Sequence, residues 1–138
     1  MTDLQKEKFP PLIFDTHAHY DDEVFQNNFD DLIFSLKQSG VGGIITCGCN
    51  KESSLKAIEL AEKYDIIYAA VGIHPGNIDD GTTVDDIKSL LSHQKCVAIG
   101  EIGLDYYWRQ DNKQQQIELF KAQLQLANQF DLPVLVHD

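Results

Sequence analysis

Two histidines separated by one residue follow a short apolar segment near the start of the chain. Residues 14–19 read FDTHAH, so His17 and His19 project to the same side of an extended segment. Two imidazoles in this arrangement can bind one metal ion, and imidazole nitrogen suits zinc, iron, copper or nickel. Asp15 or Asp21 can then orient an imidazole ring or add negative charge nearby. The pair taken alone is equally consistent with two solvated histidines at a strand end.

Two further potential ligands stand at the ends of apolar runs later in the chain. Glu101 follows the letters VAIG, and His137 closes the run PVLVH. A carboxylate among apolar residues must be paired, hydrogen-bonded or metal-bound to remain charged, so Glu101 is a candidate to bridge two cations. The alternative is a surface glutamate that caps the next turn. With His17 and His19, these residues come from three predicted strand ends and form a candidate nitrogen-and-carboxylate metal site.

Other side chains near these strand ends have two interpretations each. His74 follows the apolar letters VGI and precedes Pro75, which favours extended backbone at the histidine. It can contact a substrate phosphate or serve as a structural histidine bonded to a backbone carbonyl. Tyr106, Tyr107 and Trp108 can line a pocket or stack on a base, but three adjacent aromatics are also typical of a loop anchor, the interpretation we favour here.

The remaining reactive side chains give weaker patterns. His93 lies in the polar stretch SHQK and is predicted to be a solvated loop residue. Cys47 and Cys49 have no neighbouring feature that marks an activated thiol, so we predict buried strand residues rather than nucleophiles.

The elements that must position these groups alternate between short β-rich runs and longer segments with helical periodicity. Successive strands begin roughly every 30 residues, the length of one βα unit. Ser53 or Ser54 is the predicted cap of the second helix. Strands are predicted at 12–17, 43–47, 66–71, 96–100 and 133–137, and helices at 28–39, from 53 or 54 to 64, at 84–91 and at 113–130.

This alternation predicts an α/β protein with parallel strands joined by right-handed crossovers. An open doubly wound sheet and a (β/α)8 barrel both fit the pattern. Chain length favours the open sheet, because barrels typically need about 250 residues. The potential ligands at successive strand ends favour the barrel, and no glycine-rich phosphate loop follows the first strand.

Composition restricts the class of partner. The 138 residues include 22 acidic and 11 basic side chains, with a formal net charge of −11. A broad basic face for nucleic acid is therefore excluded, and a polyanionic substrate needs bound cations. Three cysteines, no signal-like amino terminus and no membrane-length apolar run predict a cytoplasmic protein without a membrane segment.

Four motifs occur along the chain in this order: FDTHAH, VGIHP, GEIGLDY and LPVLVH. With these motifs, the chain from Ile13 to His137 resembles the TatD-like metal-dependent deoxyribonucleases, which are amidohydrolase-type barrel hydrolases. The resemblance implies a (β/α)8 barrel with two divalent cations, Mg, Mn or Zn. His17 and His19 would hold one cation, His137 the other, and the catalytic Glu101 would bridge them. It also implies DNA as substrate, cleaved by a metal-activated water, with His74 in substrate binding.

Two departures from that family are visible. Gly76 stands where the family often has a histidine, and the family's further ligands, a histidine after the sixth strand and an aspartate after the eighth, would lie beyond Asp138. We therefore expect an amino-terminal tail at 1–11 and, at 12–138, a barrel domain truncated after its fifth strand. The intact parent is expected to be the metal-dependent hydrolase, and the 138-residue chain alone is expected to be inactive. The alternatives are a metal-dependent hydrolase of another ester or amide, and an inactive metal-binding or self-associating fragment.

Overall fold

The computed structural model describes residues 12–138, so the predicted tail at 1–11 lies outside the described residues. Within the described range the chain alternates strands and helices throughout. Two short 3-10 turns, Glu23–Phe25 and Pro75–Asn77, follow the first and third strands. The elements are β1 (Ile13–Ala18), α1 (Phe29–Gln38), β2 (Val41–Cys47), α2 (Lys51–Lys63), β3 (Ile67–Val71), α3 (Val84–Lys88), β4 (Cys96–Gly103), α4 (Lys113–Phe130) and β5 (Val134–His137).

The five strands form one parallel sheet in the order β1-β2-β3-β4-β5. A doubly wound sheet reverses its strand order at a switch point, whereas a (β/α)8 barrel adds each strand beside the preceding one. The observed order is therefore the barrel type, and the open-sheet alternative is wrong. Because all strands run in the same direction, their carboxyl ends share one edge, where loops carry the chemistry in such folds.

The two faces of the sheet differ in their packing. The helix-facing side forms the main core, in which strand residues such as Ile67, Val71 and Ile99 pack against helical residues such as Ala61 and Leu126. The opposite face, which lies toward the barrel interior, has a smaller core of three buried residues, Cys47, Ala70 and Ala98. The partly buried Ile45 and Leu135 pack beside them. Successive strand residues point to opposite faces, so each strand contributes side chains to both, and helical residues pack only into the main core.

Some predicted boundaries were wrong. Helix α2 is capped by Asn50 rather than by Ser53 or Ser54: Asn50 Oδ1 accepts from the Ser53 N–H at 2.9 Å, and Ser53 Oγ accepts from the Asn50 N–H at 3.1 Å. Ser54 is instead fully buried, and its Oγ accepts from the Gly72 N–H. Helix α3 ends three residues earlier than predicted.

Strand β4 continues to Gly103, so Glu101 lies within the strand rather than after it. The extension is held by pairing with β5, where Ile102 lies opposite Val136 and Gly103 opposite His137. The bounds predicted for α4 are confirmed. No helix in residues 12–138 is both long enough and apolar enough to cross a bilayer.

Candidate metal centre

The carboxyl ends of β1, β4 and β5 bring the four predicted ligands together. Glu101 Oε2 lies 3.3 Å from His17 Nε2 and 3.1 Å from His19 Nε2. Its other oxygen, Oε1, lies 2.8 Å from His137 Nδ1. One carboxylate therefore faces a histidine pair with one oxygen and a third histidine with the other.

Burial and imidazoles set the charge of this carboxylate. Glu101 is only 6% exposed. Hydrogen bonds from His19 first, and from His137 and His17, lower the pKa of Glu101 to about 2 against the opposing effect of burial. Glu101 therefore stays ionised at neutral pH, and it is a concentrated negative charge surrounded by nitrogen ligands.

The orientation of His19 shows that this centre fits a cation. Its Nδ1 lies 3.2 Å from the carbonyl oxygen of Cys47, which can only accept, so Nδ1 carries the proton. The Nε2 lone pair then faces Glu101 Oε2 at 3.1 Å, and two electron-rich atoms at this distance need a proton or a cation between them. A proton can take this place, because hydrogen bonds with the Cys49 side chain first and then with Glu101 raise the pKa of His19 to about 10.

The spacing of the donor atoms also suits a metal ion. Ligands about 2.0–2.2 Å from a tetrahedral ion lie about 3.3–3.6 Å from each other, and His17 Nε2 is 3.3 Å from Glu101 Oε2. The donor atoms of His17, His19 and Glu101 all fall within 4.8 Å of one another. This set of two imidazoles and a buried carboxylate therefore fits the implied cation.

His137 is held between two carboxylates. While its Nδ1 faces Glu101, its Nε2 lies 3.1 Å from Asp105 Oδ2. The motif containing Asp105 was recognised in the sequence, but its role as a partner of His137 was not. An Nε2–H donated to Asp105 leaves the Nδ1 lone pair for a cation shared with Glu101, the carboxylate–histidine–metal arrangement of many metal sites.

His74, Asp105 and His137 form a second close group, but His74 does not offer a lone pair to it. The backbone N–H of Gly76 donates to His74 Nδ1 at 2.9 Å, so the proton of the neutral ring sits on Nε2. Burial lowers the pKa of His74 and favours this neutral form. The Nε2 atom lies 4.0 Å from Glu101 Oε1, so His74 presents a hydrogen-bond donor to the edge of the metal centre.

Two buried glutamines of α4 fix the loops that carry these residues. Gln116 accepts from the Asp105 N–H at 2.8 Å and donates to the Asp105 carbonyl at 2.9 Å. Gln123 makes the same pair of bonds with Ile73, at 2.8 and 3.0 Å. Sequence reasoning missed both glutamines. The available signal was two polar residues seven apart, and therefore on one face of a helix whose other inward residues are apolar.

Other candidates lie outside the centre. Asp15 accepts from the backbone N–H of His17, rather than orienting an imidazole ring. His93 is half-buried and pairs with Glu62 at 2.8 Å, rather than lying free in a solvated loop. Burial raises the pKa of Cys47 to about 12, so its thiol stays protonated, in agreement with a buried strand residue.

Comparison with known proteins agrees with this architecture. The family model described as TatD related DNase matches residues 14–138. A Bacillus subtilis protein named uncharacterized metal-dependent hydrolase YabD is 40% identical over 92% of this chain and 51% of its own length. The 3'-5' ssDNA/RNA exonuclease TatD of Salmonella typhimurium is 31% identical over 91% of this chain and 49% of its own length.

The crystal structure of YjjV, a TatD homologue from Escherichia coli, superposes with a TM-score of 0.82 at 35% identity, over 91% of this chain and 50% of that one. This chain spans about half the length of the curated relatives it matches. The family model covers all four sequence motifs and, apart from Ile13, all five strands, and the chain belongs to the TatD related DNase family.

Proposed function

We propose that the protein is a divalent-metal-dependent hydrolase that cleaves phosphodiester bonds, with DNA as substrate. The observation that supports this most is that the two oxygens of Glu101 face different histidines. Oε2 faces His17 and His19, and Oε1 faces His137. A carboxylate with imidazole ligands on both sides is suited to bridge two cations.

Each side chain then has a defined task. His17 and His19 would bind one cation with Glu101, and His137 would bind the second, with Asp105 holding its ring in place. Imidazole favours Zn over Mn or Mg among the implied ions. Bound cations of this kind lower the pKa of a coordinated water and stabilise negative charge on phosphate.

His74 would bind the substrate rather than a cation. Its Nε2–H lies at the edge of the metal centre, 4.0 Å from Glu101 Oε1, and can donate to an oxygen of a phosphate bound beside the carboxylate. The net charge of −11 repels a polyanion, so local cations and this donor must provide the attraction. The relatives named as ssDNA/RNA exonucleases support a nucleic-acid substrate.

Cation binding is tested first, by calorimetric titration of the 138-residue chain with Zn²⁺ and Mn²⁺. Glu101→Gln removes the bridging charge with little change in volume, and we expect it to lose most of the affinity while remaining folded. Glu62→Gln is the matched control, because Glu62 is a surface carboxylate that also contacts a histidine. Equal binding by the Glu101 variant and wild type would refute the bridging role.

Substrate class is tested by comparing single-stranded DNA with an ester and an amide under the same cations. We expect little or no cleavage of DNA by this chain alone, because it spans about half the length of the relatives it matches, and any cleavage should be sensitive to chelators. Cleavage of the ester or amide without cleavage of DNA would make the substrate proposal wrong. Cation binding without hydrolysis of any of the three would identify a metal-binding chain without activity of its own.

A further inference from the structure

Two aromatic rings in the loop between β4 and α4 are exposed side by side. Tyr107 is 83% and Trp108 81% exposed, and the rings meet edge to face with centroids 4.8 Å apart. Isolated exposed apolar residues are common on protein surfaces, but adjacent large ones form a patch that is typical of a binding surface. The prediction that these rings anchor the loop is therefore wrong for both.

Other contacts hold this loop in place. Gln116 binds the backbone of Asp105, and the Asp105 carboxylate accepts from the Tyr107 N–H at 3.0 Å. Further along, the Arg109 guanidinium binds Asp111 through two nitrogens, at 3.0 and 3.2 Å, and also pairs with Asp79. The loop is thus fixed on both sides of the aromatic pair by polar contacts, so the two rings are presented by an ordered backbone.

The pair stands beside the candidate metal centre. Trp108 and Arg109 line an open cavity of about 380 Å³ together with His74, Asp105 and His137. This volume falls within the usual range for small-ligand sites, about 300–1,000 Å³. A planar group joined to a phosphate at the metal centre would therefore enter the cavity that has Trp108 in its wall.

We propose that Tyr107 and Trp108 form a stacking subsite for one nucleobase of a single-stranded nucleic acid whose phosphodiester lies at the metal centre. This proposal rests on the function proposed above. Stacking on aromatic side chains accepts any base, because every base has a π-face, and it requires a base that is not already stacked on both sides within a duplex. The subsite therefore favours single strands and frayed ends.

Charge explains why such a subsite suits this chain. A polyanion cannot be held by a basic groove on a surface of net charge −11. Arg109, the arginine of this cavity, already has its guanidinium engaged by Asp79 and Asp111. Stacking supplies uncharged affinity next to the phosphate, and it is unaffected by the repulsion between acidic side chains and the nucleic-acid backbone.

Trp108 is the single tryptophan of the chain, so intrinsic tryptophan fluorescence reports on this subsite alone. We would titrate the 138-residue chain with a short oligothymidylate in the presence of Zn²⁺, and with an abasic oligomer of equal length and charge. We expect saturable quenching by the oligothymidylate only, and affinity for the abasic oligomer weaker by about 5- to 150-fold, the range set by loss of one base–aromatic stack.

Tyr107→Ala keeps Trp108 as the fluorescent reporter and removes the other ring of the aromatic pair. We expect it to weaken oligothymidylate binding at least about fivefold, with no effect on the abasic oligomer or on Zn²⁺ affinity. Phe34→Ala is the matched control, because Phe34 is an aromatic side chain of α1 that is 65% exposed. This control is expected to bind both oligomers as wild type does.

The outcomes separate the subsite from the proposed function. Equal affinity for the two oligomers with unchanged Trp108 fluorescence would overturn the subsite and leave the Zn²⁺-dependent phosphate site standing. Binding of neither oligomer would also overturn the subsite, and a Zn²⁺ titration without DNA would then show whether the metal centre itself survives.

Discussion

Replacing Gln123 with leucine tests whether α4 holds the loop that carries His74. The side-chain amide of Gln123 is fully buried and makes two hydrogen bonds with the backbone of Ile73, one from the N–H at 2.8 Å and one to the carbonyl at 3.0 Å. Leucine has a similar volume, so the substitution removes both bonds without opening a large cavity.

The expected cost follows from the two backbone groups left behind. An unsatisfied buried donor or acceptor costs about 1–3 kcal/mol, so the Ile73 N–H and carbonyl together cost about 2–6 kcal/mol. Apolar contacts of the new leucine offset part of this cost, and we expect a net loss of about 2–4 kcal/mol in the free energy of unfolding. That is a large fraction of the roughly 5–15 kcal/mol that stabilises a typical domain.

Urea unfolding followed by far-UV circular dichroism measures this loss. With a slope of about 2 kcal/mol per molar urea, we expect the midpoint to fall by about 1–2 M. Gln125→Leu makes the same substitution at an exposed position two residues along the same helix, and it should shift the midpoint little. Coincident unfolding curves for the two variants would refute the view that Gln123 is a structural clamp on the Ile73 backbone.

Three further predictions test the surroundings of the centre. Asp105→Ala should weaken Zn²⁺ affinity about 10- to 100-fold, because the ring of His137 loses the hydrogen bond that orients it. Asp105→Asn keeps an oxygen acceptor and should lose less Zn²⁺ affinity. Equal calorimetric affinities for Asp105→Ala and wild type would contradict this prediction. Asn50→Ala should cost about 1 kcal/mol in thermal unfolding because the cap of α2 is lost, and an unchanged melting curve would argue against the cap. Sedimentation should reveal self-association that rises with concentration, because β1 and β5 each pair on one side only within the described residues and Phe14 is exposed on β1. Phe14→Lys should reduce this self-association, and a wild-type chain that stays monomeric at all concentrations would contradict the prediction.

Much of the fold was predictable because it depends on local periodicity. The alternation of β-rich runs with amphipathic segments predicted every strand and helix of the described chain, and α4 was predicted to the residue. The convergence of His17, Glu101 and His137 was also predictable, because parallel strands end at one edge of a sheet and bring the residues of their carboxyl ends together there.

Features that depend on contacts between distant parts of the chain were decided by the tertiary structure. The extension of β4 from the predicted end at Gly100 to Gly103 follows from pairing with β5, which no local sequence pattern indicates. The cap of α2 was misassigned because asparagine and serine are both good caps, and only the path of the chain selects Asn50.

Contacts between distant parts of the chain also explain why the sequence did not predict two hydrogen-bond partners. Asp105 meets His137 across 32 residues of chain, and Gln123 meets Ile73 across 50. Residue type and spacing by themselves determined which groups can bind a cation and at which strand ends they stand. The register of the sheet and the packing of α4 decided which hydrogen bonds hold the cation-binding groups. They also left Trp108 exposed beside these groups. Both outcomes were decided by tertiary structure because they depend on how whole helices and strands are placed relative to one another.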